Sequence, residues 1–243
     1  MKKLYICLMI LVFVGTAKAQ EKGVDEVVHT PTAQSYKVGG TPIIIPSPTK
    51  EMLEVGYDNR EKMEILVMAT NRLIAMYVLA DDLPRLTNDD EDLKMSRYAM
   101  VQVMRRGEQH EFTSDEFKAF TDEMSEQFKD IKGFWDPTMK ETEEEFNRRM
   151  KALDLNELKM DIGKVKNLGP LFTKKNASCF GMIMPYQMAD ETINIAMSMT
   201  VIRIKKRMVF LYLYSEFEDE KTISWLRNNS EHWVDAILEV NKE

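Results

Sequence analysis

The chain has little cysteine. Its two cysteines are Cys7 and Cys179. Cys7 sits in an N-terminal leader, so a processed chain would carry Cys179 alone. One cysteine cannot form an intramolecular disulfide, a CxxC redox pair or a thiolate zinc cage. Glycine is sparse as well. None of the ten glycines falls into GxSxG, GxGxxG or a phosphate loop. The three histidines, His29, His110 and His232, lack the HExxH spacing of a zinc protease. Beyond the leader no apolar run approaches the roughly eighteen residues that a membrane span needs. Excess positive charge is missing too. The formal net charge is −7, which makes general nucleic-acid binding a poor expectation.

What is present begins at the N-terminus. Met1, Lys2 and Lys3 give a positive start, and Leu4 to Val14 is an unbroken apolar run. Ala17-Lys18-Ala19 is a small-x-small site followed by Gln20. That order predicts a secretory signal peptide over 1–19, cleaved after Ala19; its apolar run is too short to be a membrane helix. No cysteine stands at the cleavage point, so the expectation is a free periplasmic or secreted protein and not a lipoprotein. Losing Lys2, Lys3 and Lys18 takes the formal charge from −7 to −10.

Residues 20–41 are polar and aperiodic and read as a flexible tail, with Gly39-Gly40 near its end. A single domain over 42–243 is expected to open at Pro42-Ile43-Ile44-Ile45-Pro46. Three β-branched residues between prolines suit an edge or first strand. Asn59 to Met68 reads as a short helix. Leu73 to Leu79 and Tyr98 to Met104 read as strands, with a polar stretch, Asp81 to Lys94, between them. Thr113-Ser114-Asp115-Glu116 fits a capping box. The helix after it puts Phe117, Phe120, Met124, Phe128 and Ile131 on one face. Asp136-Pro137 starts a second helix, with Phe146, Met150, Leu153 and Leu158 on its buried side.

Four strands are expected at Gly163 to Phe172, Ser178 to Met184, Thr192 to Ile204 and Met208 to Tyr214. In the third, Ile193, Ile195, Met197, Met199 and Val201 alternate with Asn194, Ala196, Ser198 and Thr200. That period of two predicts a sheet with one face buried. Asp219 caps a last helix with Ile223, Leu226, Trp233, Ile237 and Val240 facing inward. The order β-β-α occurs twice, over Leu73 to Ile131 and Thr192 to Val240, which admits an internal duplication. The expected fold class is α+β: an antiparallel, sandwich-like sheet with helices packed on it.

Candidate chemistry is thin. Seventeen methionines remain once Met1 and Met9 are removed with the leader. Met182 and Met184 fall on one expected strand, Met197 and Met199 on its neighbour. Soft thioethers select copper(I), so these four are the candidate metal ligands. Methionine as adaptable core filler explains the same residues. Asn88-Asp89-Asp90-Glu91-Asp92 invites a calcium reading, but Leu93 and Ala99 occupy the required Gly and Glu positions of an EF-hand loop. Cys179 with His110 or His232 is the available nucleophile pair. Arg203, Lys205, Lys206 and Arg207 make a basic hairpin tip that suits anionic lipid, an acidic partner or a solvated turn.

The hairpin Ile193 to Tyr214 with its short basic turn, followed by a terminal helix carrying Trp225 and Trp233, resembles the closing part of PsbP-like α/β/α sandwich domains. The strand Ile43-Ile44-Ile45-Pro46 is similar to how those domains open. The resemblance covers about a third of the chain, and the long helical middle, Thr113 to Lys159, departs from it. It implies a non-enzymatic subunit or adaptor and carries over no site residue. The reading is therefore an exported, non-enzymatic binding or assembly module of the cell envelope, without catalytic residues or cofactor and with an envelope protein as partner. The alternatives are an exported hydrolase with an unrecognised site and a methionine-based copper(I)-handling protein.

Overall fold

The computed structural model describes residues 33–64, 67, 70–88, 95–129, 136–152, 161–188 and 191–242. Residues 1–32 (the expected leader among them), Ile131, Leu153, Leu158 and the acidic run 89–92 lie outside them.

Two strands, β1 (Gln34–Val38) and β2 (Thr41–Ile45), form a separate antiparallel hairpin. The tail expected over 20–41 therefore ends earlier, because Gln34–Val38 pairs along the whole of β2. Gly39 and Gly40 make the turn in the left-handed region, φ +54° and +81°, which costs glycine no side-chain clash.

The large sheet is built from β3 (Met52–Glu54), β4 (Asn71–Leu79), β5 (Arg97–Met104), β6 (Asp161–Ile162), β7 (Lys166–Lys174), β8 (Ala177–Met188), β9 (Glu191–Ile204) and β10 (Arg207–Glu216). Its order is β3-β4-β5-β10-β9-β8, and both β6 and β7 pair with β8. Every pairing is antiparallel. The helices are α1 (Tyr57–Glu64), α2 (Leu83–Thr87), α3 (Ser114–Lys129), α4 (Asp136–Ala152) and α5 (Glu220–Val240). The fold is thus α+β, with helices on an antiparallel sheet.

Local signals set these boundaries. Thr113 and Glu116 close the expected capping box: the Thr113 N–H donates to Glu116 Oε2 at 2.8 Å, and the Glu116 N–H to Thr113 Oγ1 at 3.2 Å. Asp219 accepts the Lys221 N–H at the start of α5. The outer edge at β7 is broken by two register shifts, by Gly169 at φ +74° and by Pro170, which has no N–H to offer. Those features blunt strand addition there.

Each face of the sheet carries its own core. One holds Phe117, Met124 and Phe128 of α3 against Met100, Phe180, Tyr212 and Tyr214. The other holds Leu226, Trp233, Val234 and Ile237 of α5, with Val38, Ile43 and Ile45 of the hairpin. The expected single buried face is corrected by this. Ala196, Ser198 and Thr200 are also buried, under α5. Their small side chains let the helix approach until Ser198 and Ser230 hydroxyls meet at 2.6 Å. Val240, expected inside, is exposed.

The two β-β-α units meet at the antiparallel pair β5–β10. A local two-fold relating antiparallel neighbours would keep both helices on one face. Instead α3 and α5 lie on opposite faces, so the units are not related as a rigid duplicate.

The hairpin rests on α5 through side chains. The Asn241 amide accepts the Ile44 N–H at 2.9 Å and donates to the Ile44 carbonyl, imitating a neighbouring strand. Asn241→Ala strands a backbone N–H and carbonyl and is expected to cost about 2 kcal/mol. Urea denaturation of both proteins checks this; an unchanged midpoint would mean that water replaces the amide.

Candidate functional site

Four turns meet at one end of the sheet. They are the β1–β2 turn, the segment 104–112 after β5, the β7–β8 turn at 174–176, and the β9–β10 turn. The last is a two-residue loop in which Lys205 (φ 45°) and Lys206 (φ 63°) both take positive φ. That is the geometry of a type I′ turn, which Asn-Gly fills far more easily than two lysines.

Buried Arg207 ties the turns together. Its guanidinium donates to Thr41 Oγ1 at 3.0 Å and to the carbonyls of Gln109 at 2.7 Å and His110 at 3.2 Å. Arg203 donates to the Phe112 carbonyl at 2.7 Å. Lys205 reaches the Pro42 carbonyl at 3.2 Å. Most of these partners are neutral, so they add no negative charge to offset the cations. Two carboxylates answer them. Glu108 pairs with Arg72 and accepts the Gly39 N–H at 3.3 Å. The hydrogen bond from Arg72 holds its carboxyl below the usual range. Glu111 lies 3.2 Å from Lys206 and 3.8 Å from Arg207. Gly39 is required by packing as well as φ, since a Cβ would lie 2.1 Å from the Glu108 carbonyl oxygen.

Lys37, Arg105, Arg106 and Lys175 are exposed on the same turns. Lys174 is bound by Glu231 and Asp235 of α5. On these turns and at Arg72 stand ten basic side chains, answered by Glu108 and Glu111 and, at Lys174, by Glu231 and Asp235 of α5, on a chain whose formal charge is −7. The basic tip at 203–207 was legible in the sequence. Arg72, Arg105, Arg106, Lys37 and Lys175 were not, because only folding brings them to it.

The other candidates fall elsewhere. Cys179 is wholly buried between Thr200 and Ser230, and burial pushes its thiol up to about 12. His232 is exposed on α5, and His110 is half exposed beside Glu116, at 3.3 Å. The nucleophile pair is therefore not formed: the thiol faces small hydroxyl residues under the helix, and both imidazoles face solvent.

The four methionines do share a face. Met182 is the register partner of Met197, Met199 of Phe180, and Met184 of Ile195. All four are fully buried in the core under α3, where Phe128 stacks on Phe180 at 4.4 Å. Ten of the eleven methionines in the two cores lie on this face. Flexible thioethers are suited to filling a core of irregular shape under helices. No group of three or more His, Cys, Asp or Glu suited to a metal occurs among the described residues.

A second polar cluster escaped the sequence reading. Glu54 on β3 lies 3.5 Å from Arg60 of α1, whose guanidinium also sits over the Tyr36 and Tyr57 rings at 5.9 and 5.2 Å. The Tyr36 hydroxyl and Glu54 Oε2 are buried; they face one another without closing a hydrogen bond of good geometry. Burial raises the Glu54 carboxyl, against the opposing pull of Tyr36 and Arg60. A carboxyl raised by folding holds its proton more tightly in the folded state. Stability then grows as pH falls through the folded pKa, and the ionised form above it costs stability. Glu54→Gln is expected to raise Tm at neutral pH, with a gain that shrinks toward about pH 4, where a free glutamate half-titrates. Melting curves across that range test it; a pH-independent difference would place the effect in packing.

Two solved structures are similar to the chain at a low level. One is a mutant of the protein Mog1, at 11% identity and a TM-score of 0.33. The other is the Ran-binding protein Mog1p of Saccharomyces cerevisiae, at 10% and 0.30. Each match covers 86% of this chain and 92% of the other. No family model matches, and no curated protein matches. Similarity at this level transfers no function.

Proposed function

We propose that the protein is an exported, non-enzymatic binding or assembly module of the cell envelope, and that it works through the cationic end. The observation that carries this reading is the convergence of nine basic side chains on four turns, joined by Arg72 of β4, on an acidic chain. The backbone strain at Lys205 and Lys206 supports it, because strained non-glycine positions gather where function holds them. Leader-like residues 1–19 and the PsbP-like closing hairpin and helix support export and a non-enzymatic role.

The test is cross-linking in cells that express the chain with its leader. A photoreactive residue at Arg106 is expected to trap an envelope component, and the adduct is expected to vanish in Lys205→Asn/Lys206→Gly. Retention in the cytoplasmic fraction, or adducts that ignore the charge change, would overturn the reading.

Copper(I) handling is the second reading, favoured by the register pairing of Met182 with Met197. Anaerobic titration decides it. No binding, or no loss on replacing Met182 and Met197 by Leu, removes it.

A further inference from the structure

We infer that the cationic end docks on an anionic lipid surface. This rests on the binding-module reading and names its partner.

Three observations favour a bilayer over an acidic protein. First, the exposed cations Lys37, Arg106, Lys175 and Lys206 stand on four different turns. Spread over four turns, they suit many phosphates distributed over a plane. Arg106, Lys37 and Lys175 have no ion-pair partner among the described residues. Second, protein interfaces are anchored by aromatic and aliphatic side chains that become buried. Among the described residues the exposed large hydrophobic ones are Tyr57 and Val240, neither on these turns. Association with an anionic surface needs charge alone. Third, the rest of the molecule is acidic. An anionic plane repels it and attracts the basic end, so one orientation is selected over long range. Glu108 and Glu111 are engaged by Arg72, Lys206 and Arg207, and Asp115 and Glu116 begin α3 at the margin of this end.

The β9–β10 turn makes a clean test possible. Lys205→Asn/Lys206→Gly removes two charges and installs the residues that a type I′ turn prefers, so the fold is kept or strengthened. Each cation near an anionic surface is worth about a fivefold change in binding. The double variant is expected to bind roughly 25-fold more weakly to vesicles of phosphatidylglycerol mixed into phosphatidylcholine. Lys221→Gln/Arg227→Gln, an equal charge change on exposed residues at the far end of α5, is expected to bind as the parent does. Phosphatidylcholine alone is expected to bind neither, and molar salt to abolish binding. Absence of binding to the anionic vesicles at low salt overturns the inference, as does equal weakening by both double variants. If vesicles fail while the Arg106 cross-link still traps an envelope protein, the lipid surface falls and the binding module stands.

Discussion

Trp233→Ala is expected to lower the unfolding free energy by about 3–5 kcal/mol. Trp233 is 2% exposed. Its ring meets Tyr77 edge-on at 6.0 Å, which places α5 against β4. Its indole N–H donates to the Pro46 carbonyl at 2.8 Å, which fixes the exit of β2. Removal leaves a cavity in the core under α5 and strands that carbonyl. Trp233→Phe keeps much of the ring and loses the donor, so its expected cost is smaller, about 1–3 kcal/mol. Urea unfolding of the three proteins checks the order. A loss below about 1 kcal/mol for the alanine variant would mean that the hairpin and α5 are held by other contacts.

The expectations that held rested on local chemistry. Asp219 and the Thr113–Glu116 box cap their helices because a side-chain oxygen within three residues satisfies an orphan N–H, and that needs no tertiary context. The alternation in β9 marked a strand for the same reason. It did not show what covers the second face. Ala196, Ser198 and Thr200 read as solvent-facing, yet small weakly polar residues are also what a closely packed helix demands. Gln34–Val38 read as tail because Gln34, Ser35 and Lys37 are polar. The strand exists because β2 supplies its ladder and Arg72 binds the Lys37 carbonyl at 3.0 Å, 35 positions away. The site follows the same rule. Arg203 to Arg207 was visible as a run, whereas the wider basic end depends on contacts between segments far apart in the chain.

Arg207 joins the fold to that end, and its replacement should separate the two. Arg207→Leu is expected to cost about 3 kcal/mol. It removes charge-assisted hydrogen bonds to Thr41, Gln109 and His110 and leaves those acceptors facing an apolar side chain. Arg207→Lys is not expected to rescue it, because one ammonium on a flexible stem cannot span three acceptors that a planar fork reaches together. The damage should be local. Amide exchange is expected to quicken in β1–β2 and in 104–112, while the amides of β8 and β9 keep their protection. Uniform loss of protection would show that Arg207 supports the whole sheet. Local loss would show that the core under α3 and α5 stands without it, and that the cationic end is a separate layer of organisation, assembled by one buried arginine that gathers the β1–β2 turn and the 104–112 segment around the start of β10.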